Sequence, residues 1–174
     1  MKAVRILAVL AAVCLVAQSC SEPPASPAVP TIQADRGSGS LLQATGLLQC
    51  SELPFDSETR WIGRNGGTIT AGPHTLTIPP GALDEWTRIT MSAPSGHGIN
   101  AVHFEPDGLD FDRPAALTMS YSNCSLLGKL LPKRIAYTDD DYEKIYYFLR
   151  SLDDIFSKRV TGRIDHFSDY VVAW

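Results

Sequence analysis

The sequence predicts an all-β domain, an antiparallel β-sandwich, set behind an export signal and a disordered spacer. Three observations carry that expectation. From Trp61 onward Gly, Pro and Asp cut the chain into short pieces, apolar and polar residues alternate within those pieces, and no long amphipathic helical pattern separates them. With 44% hydrophobic and 20% charged residues over 174 positions, the chain can bury one core but is too short for two full-sized domains. Its 15 Lys plus Arg against 19 Asp plus Glu leave a net charge of −4, which argues against a nucleic-acid partner and against a basic membrane-surface module.

In chain order, Met1, Lys2 and Arg5 precede an apolar run from Ile6 to Ala17, followed by Gln18, Ser19 and Cys20. This is the layout of a secretory signal over residues 1–19. Its apolar run falls well short of the roughly twenty residues that a spanning helix needs. Val16-Ala17-Gln18-Ser19-Cys20 resembles the lipobox of bacterial lipoprotein signals, which implies lipidation of Cys20 as the new N-terminus. Ordinary signal-peptidase cleavage without lipid is the alternative. Residues 20–49 read as a flexible linker, with Pro23, Pro24, Pro27 and Pro30 favouring extended chain and Gly37 and Gly39 adding freedom. The expected location is a bacterial cell envelope. Ser21 carries no evident signal for inner-membrane retention, so the expected anchor is the outer membrane. Export leaves Cys50 and Cys124 as a pair in an oxidising compartment, where a disulfide is expected and two buried free thiols are the alternative.

The domain is expected to span residues 50–174. His74–Ile78 alternates Leu76 and Ile78 with polar residues and stops at Pro79-Pro80-Gly81. Arg88–Ser92 repeats the pattern with Ile89 and Met91. Val102 and Phe104 lead into Pro106-Asp107-Gly108, and Leu109 and Phe111 return from it, which predicts a hairpin. Leu117, Met119 and Tyr121 mark the next strand. Leu126, Leu127, Leu130 and Leu131 before Pro132 suit either a short helical turn or a packed loop. Ile135–Thr138 and Ile145–Leu149 flank the acidic turn Asp139-Asp140-Asp141, and Arg159–Trp174 supplies the last one or two strands.

Gly66-Gly67-Thr68-Ile69, Leu76-Thr77-Ile78-Pro79-Pro80-Gly81-Ala82-Leu83, Phe104-Glu105-Pro106-Asp107-Gly108-Leu109-Asp110-Phe111 and Pro114-Ala115-Ala116-Leu117 together resemble the ZU-five domain of zonula occludens proteins, Unc-five netrin receptors and ankyrins. The resemblance implies a β-sandwich used mainly for protein contacts. His166-Phe167-Ser168-Asp169-Tyr170 is similar to the end of the domain in members that cleave themselves. Carried over, Ser168 is the nucleophile, His166 its base and Phe167–Ser168 the bond cut. Read from the residues alone, Ile164, His166, Ser168, Tyr170, Val172 and Trp174 form one alternating face, on which His166 and Ser168 are buried polar groups satisfied locally.

The remaining signals are weaker. Asp139-Asp140-Asp141 with Glu143 lacks the spaced oxygen ligands of a calcium loop and reads as a solvated turn. His74, His97 and His103 have no zinc-ligand spacing, and no phosphate loop or serine-hydrolase elbow occurs. No metal or cofactor is expected. Trp61, Trp86 and Trp174 would point to sugar binding if exposed and coplanar, and to a protein-facing role if buried; core positions are the expectation. The sequence therefore predicts a lipid-anchored binding or scaffolding module, not a turnover enzyme. Its partner is expected to be an envelope protein, with a glycan as the alternative.

Overall fold

The computed structural model describes residues 46–126 and 130–174. The signal segment, Cys20 and the linker as far as residue 45 lie outside the described residues, as does Leu127. Among the described residues eleven strands form two antiparallel sheets: β1 Asp56–Ile62, β2 Gly67–Ala71, β3 His74–Ile78, β4 Thr87–Ala93, β5 Ala101–Glu105, β6 Asp110–Ser120, β7 Arg134–Thr138, β8 Ile145–Phe148, β9 Ser151–Asp154, β10 Arg159–His166 and β11 Asp169–Ala173. One sheet has the order β1-β4-β5-β11-β7-β8 and the other β2-β3-β6-β10-β9, packed as a sandwich. Alternation decides which residues lie between them. Leu76, Ile89, Met91, Val102, Phe104, Leu117, Met119, Ile135, Val160, Ile164, Tyr170 and Val172 all point inward and are almost fully buried.

Four features differ from the sequence expectation. The turn at Pro106-Asp107-Gly108 forms, with Leu109 N–H donating to the Pro106 carbonyl and Gly108 at φ 72°, but it does not join a hairpin. It carries the chain from β5 in one sheet to β6 in the other. Strand β6 runs unbroken through Pro114, so Phe111 and Leu117 lie on one strand rather than two. Pro114 is tolerated because the pairing with β10 shifts there, from Ile164 opposite Ala115 to His166 opposite Asp110, leaving no regular ladder bond for its missing N–H to supply. The short segment 46–49, expected in the linker, packs on the domain, with Leu47 and Leu48 buried. Leu126, Leu130 and Leu131 are exposed, and no helical turn forms among the described residues there.

Strand β1 is polar along most of its length, and its side chains explain why. Asp56 Oδ2 accepts from Gly72 N–H at 2.6 Å, Glu58 Oε2 accepts from Thr70 N–H at 2.9 Å, and Arg60 donates to the Thr68 carbonyl. Successive inward positions of β1 thus satisfy the open edge of β2, closing that side of the sandwich with charge instead of apolar contact. Cys50 and Cys124 are disulfide-bonded, as expected, and the bridge is flanked by Ser51 N–H to the Asn123 carbonyl and Ser125 N–H to the Gln49 carbonyl.

Buried His74 accepts a hydrogen bond from Ser120 N–H through Nδ1, which requires the neutral ring. Burial, aided by the Arg159 charge, lowers its pKa from 6.5 to about 4. Between those values the unfolded chain binds the proton and the folded one does not, so stability rises with pH. A stabilisation of roughly 3 kcal/mol present above pH 6.5 is expected to be lost as pH falls to about 4. Urea denaturation across that range checks this, and His74→Gln should flatten the profile in that window.

Candidate functional site

Strand β10 ends at His166 in the five-stranded sheet, and β11 begins at Asp169 in the six-stranded sheet. Phe167–Ser168 is therefore the link at which the chain crosses the sandwich. This corrects the single alternating face expected from Ile164 to Trp174, because those residues belong to two sheets and Phe167, of the opposite parity, is fully buried. Its ring stacks on Phe104 at 4.8 Å and meets Phe111 edge-on at 5.0 Å. Its N–H donates to the Leu109 carbonyl at 2.9 Å, and its carbonyl accepts from Gly108 N–H at 3.1 Å. Tyr170 Oη donates to the His166 carbonyl at 2.8 Å, and burial raises the Tyr170 pKa, so this phenol stays protonated.

Self-cleavage needs a base on the serine hydroxyl, a polarised carbonyl and a distorted peptide. The Gly108 N–H supplies the second, since it lies where charge would develop on the Phe167 oxygen. The first is not assembled. His166 and Ser168 both line an open recess of about 390 Å³, with Asp107, Tyr137, Asp139, Asp140, Asp141 and Tyr146. Among the described residues, however, no hydrogen bond joins them, and the His166 ring instead meets Tyr137 edge-on at 5.4 Å. As for distortion, the left-handed non-glycine residues of the described chain are Tyr142 and Lys158, neither of them at the link.

The acidic turn is organised by its own backbone. Asp139 Oδ1 accepts from Glu143 N–H at 2.9 Å and Lys144 N–H at 3.0 Å, which holds Tyr142 at φ 59°. Tyr142 is thereby turned onto Asp169, its hydroxyl donating at 3.3 Å, and His103 Nδ1 lies 3.1 Å and 3.2 Å from the two oxygens of the same carboxylate. Burial raises the Asp169 pKa while His103 opposes the rise. Sequence reading missed this trio because its members come from β5, the β7–β8 turn and β11; register alone places His103 opposite Asp169. His74 lies elsewhere, on Ser120, whereas His97 meets the trio itself, edge-on to Tyr142 at 5.1 Å. Among the described residues no group of three or more His, Cys, Asp or Glu is placed to hold a metal ion.

The tryptophans depart from expectation. Trp61 is 64% exposed and Trp86 71% exposed, while Trp174 alone is partly buried. Trp61 stands opposite Arg88 in the β1–β4 register, on the outer face of the six-stranded sheet. Trp86 lies over Gly63, where an added Cβ would come within 3.0 Å of the ring, so this glycine is what lets the indole lie flat on the backbone. Arg64 completes the corner, its Nε donating to the Asp84 carbonyl at 2.8 Å. No protein-family model matches the chain, and no curated protein matches it.

Proposed function

We propose that the chain is an exported, lipid-anchored module of a bacterial cell envelope whose β-sandwich binds another protein through the Trp61–Trp86 corner. The observation that carries this reading is the exposure of two tryptophans beside Arg88 and Arg64, since large rigid aromatics and arginines supply most of the energy at protein contacts. The ZU-five resemblance supports it, because that domain serves mainly in protein contacts. Replacing both rings removes surface the fold does not need, so Trp61→Ala with Trp86→Ala should change stability by less than about 1 kcal/mol. The same pair should abolish capture of the partner by the anchored protein. Capture undiminished by the double substitution would overturn the assignment.

Carbohydrate binding is the second reading, favoured by the same exposure, because indole faces stack on sugar rings. Among the described residues no ring contact joins Trp61 to Trp86. Specific glycan retention without a protein partner would decide for it.

Self-cleavage at Phe167–Ser168 draws on the Gly108 hydrogen bond to the Phe167 carbonyl and on the His166-Phe167-Ser168 match. We read His166 and Ser168 as structural, because no hydrogen bond joins the imidazole to the hydroxyl. Intact-mass analysis under denaturing conditions should therefore give one species ending at Trp174. A shortened species that disappears in Ser168→Ala would establish cleavage instead.

A further inference from the structure

One end of the sandwich receives the chain from its N-terminal side and also carries some of its most exposed apolar side chains. Trp174 N–H donates to the Gly46 carbonyl, and Leu47 bridges to Ala173 at the end of β11. Arg134 is opposite Ala173 in register. Beside it, Lys133 N–H donates to Asp153 at 2.7 Å, and Tyr121 N–H donates to the Lys158 carbonyl at 2.9 Å. The entry segment, the loop before β7 and the tip of the β9–β10 hairpin thus share this end. Leu130 is fully exposed and Leu131 largely so in the loop, while Ile155 is 65% and Phe156 96% exposed at the tip.

The tip is built to hold those side chains outward. Asp154 accepts from Phe156 N–H, Ser157 N–H and the Ser157 hydroxyl, and Asp153 accepts from the Tyr121 hydroxyl as well as from Lys133 N–H. Asp154 shapes the turn, and Asp153 ties the hairpin to Tyr121 and to the loop before β7. Lys158 and Arg159 stand exposed just behind it. The Trp61–Trp86 corner lies at the opposite end, since Trp61 pairs with Arg88 near the start of β4, whose far end pairs with Asp56.

We propose that this end docks on a lipid bilayer, with Ile155, Phe156, Leu130 and Leu131 seated at the boundary between headgroups and acyl chains. The proposal rests on the reading of Cys20 as lipidated, because a tether entering the domain here holds these side chains near the membrane at high effective concentration. An acidic chain does not bind a bilayer through its overall charge, so apolar insertion is the mode left to it. Four side chains on two loops are too few for a stable second copy, which needs about 800 Å² from each partner. Docked this way, the protein points its tryptophan corner away from the membrane.

The test places a tryptophan at the tip. Phe156→Trp in the full acylated protein is reconstituted in vesicles of phosphatidylethanolamine and phosphatidylglycerol, and its emission is compared with that of the parent. Brominated acyl chains should lower the emission added by the substitution about twofold or more. Added emission unchanged by bromine, in protein that floats with the vesicles, overturns the docking and leaves the anchor intact. Failure of the parent to float, with Cys20→Ser behaving identically, overturns the anchor instead. In that case the same substitution is measured in excess vesicles, where quenching supports the face and its absence overturns it. A blue shift without quenching, accompanied by a doubled mass, assigns the patch to self-association and overturns the proposal.

Discussion

Phe167→Ala is expected to destabilise the domain by roughly 3–5 kcal/mol. The ring is fully buried between Phe104 and Phe111 at the one link that carries β10 into β11, so truncation leaves a cavity where both sheets meet. The loss should reach beyond the ring itself. The hydrogen bonds of Phe167 with Leu109 and Gly108 fix the β5–β6 turn against the crossing, and that turn is another place where the chain changes sheets at this end. Urea denaturation checks the figure, with Ser168→Ala as the neighbouring comparison. Removing that hydroxyl should cost less than about 1 kcal/mol, because no hydrogen bond to another described residue depends on it. Equal effects from the two substitutions would contradict the account of the link.

Loss of the Cys50–Cys124 disulfide is the second large effect. The bridge closes a loop with a sequence separation of 74, for which chain entropy predicts roughly 4 kcal/mol of stabilisation. It also pins the entry segment, whose Leu47 and Leu48 are buried. Cys50→Ser with Cys124→Ser should lower the unfolding free energy by that amount and expose residues 46–50 to hydrogen exchange before the rest of the domain. A change under about 1 kcal/mol, with the segment still protected, would mean that packing of Leu47 and Leu48 alone holds it.

The sandwich was legible in the sequence wherever burial follows alternation. His74–Ile78 is strand β3 residue for residue, and Arg88–Ser92 lies within β4, because one face of each packs on the core. Strand β1 was not legible. Its inward positions are Asp56, Glu58 and Arg60, whose task is to bond the β2 edge, so the apolar period that marks a strand is missing. The turn at Pro106-Asp107-Gly108 was visible, but its residues fix only the local backbone. Which sheet each flanking strand joins is settled by distant partners, β11 for β5 and β10 for β6. The thiol pair could be read because Cys50 and Cys124 are the two cysteines that follow the segment expected to be a signal and its Cys20.

The candidate site was read less completely, and for a physical reason. His166 and Ser168 are close in sequence, which is what drew attention to them, yet the change of sheet between them turns the imidazole toward Tyr137. Asp169 lies next to Ser168, but its partners His103 and Tyr142 come from 66 and 27 positions away. Exposure of Trp61 and Trp86 was likewise hidden, since it depends on Trp61 falling on the outer parity of an edge strand and on Gly63 leaving room for the second ring.

The measurement that meets the central claim most directly is site-specific photocrosslinking in living cells, with a photoreactive phenylalanine at position 61, 86, 75 or 77. The account predicts one discrete protein adduct from positions 61 and 86, and none from 75 and 77 on the outer face of the other sheet. No protein adduct at 61 and 86, or the same adducts from all four positions, would contradict it.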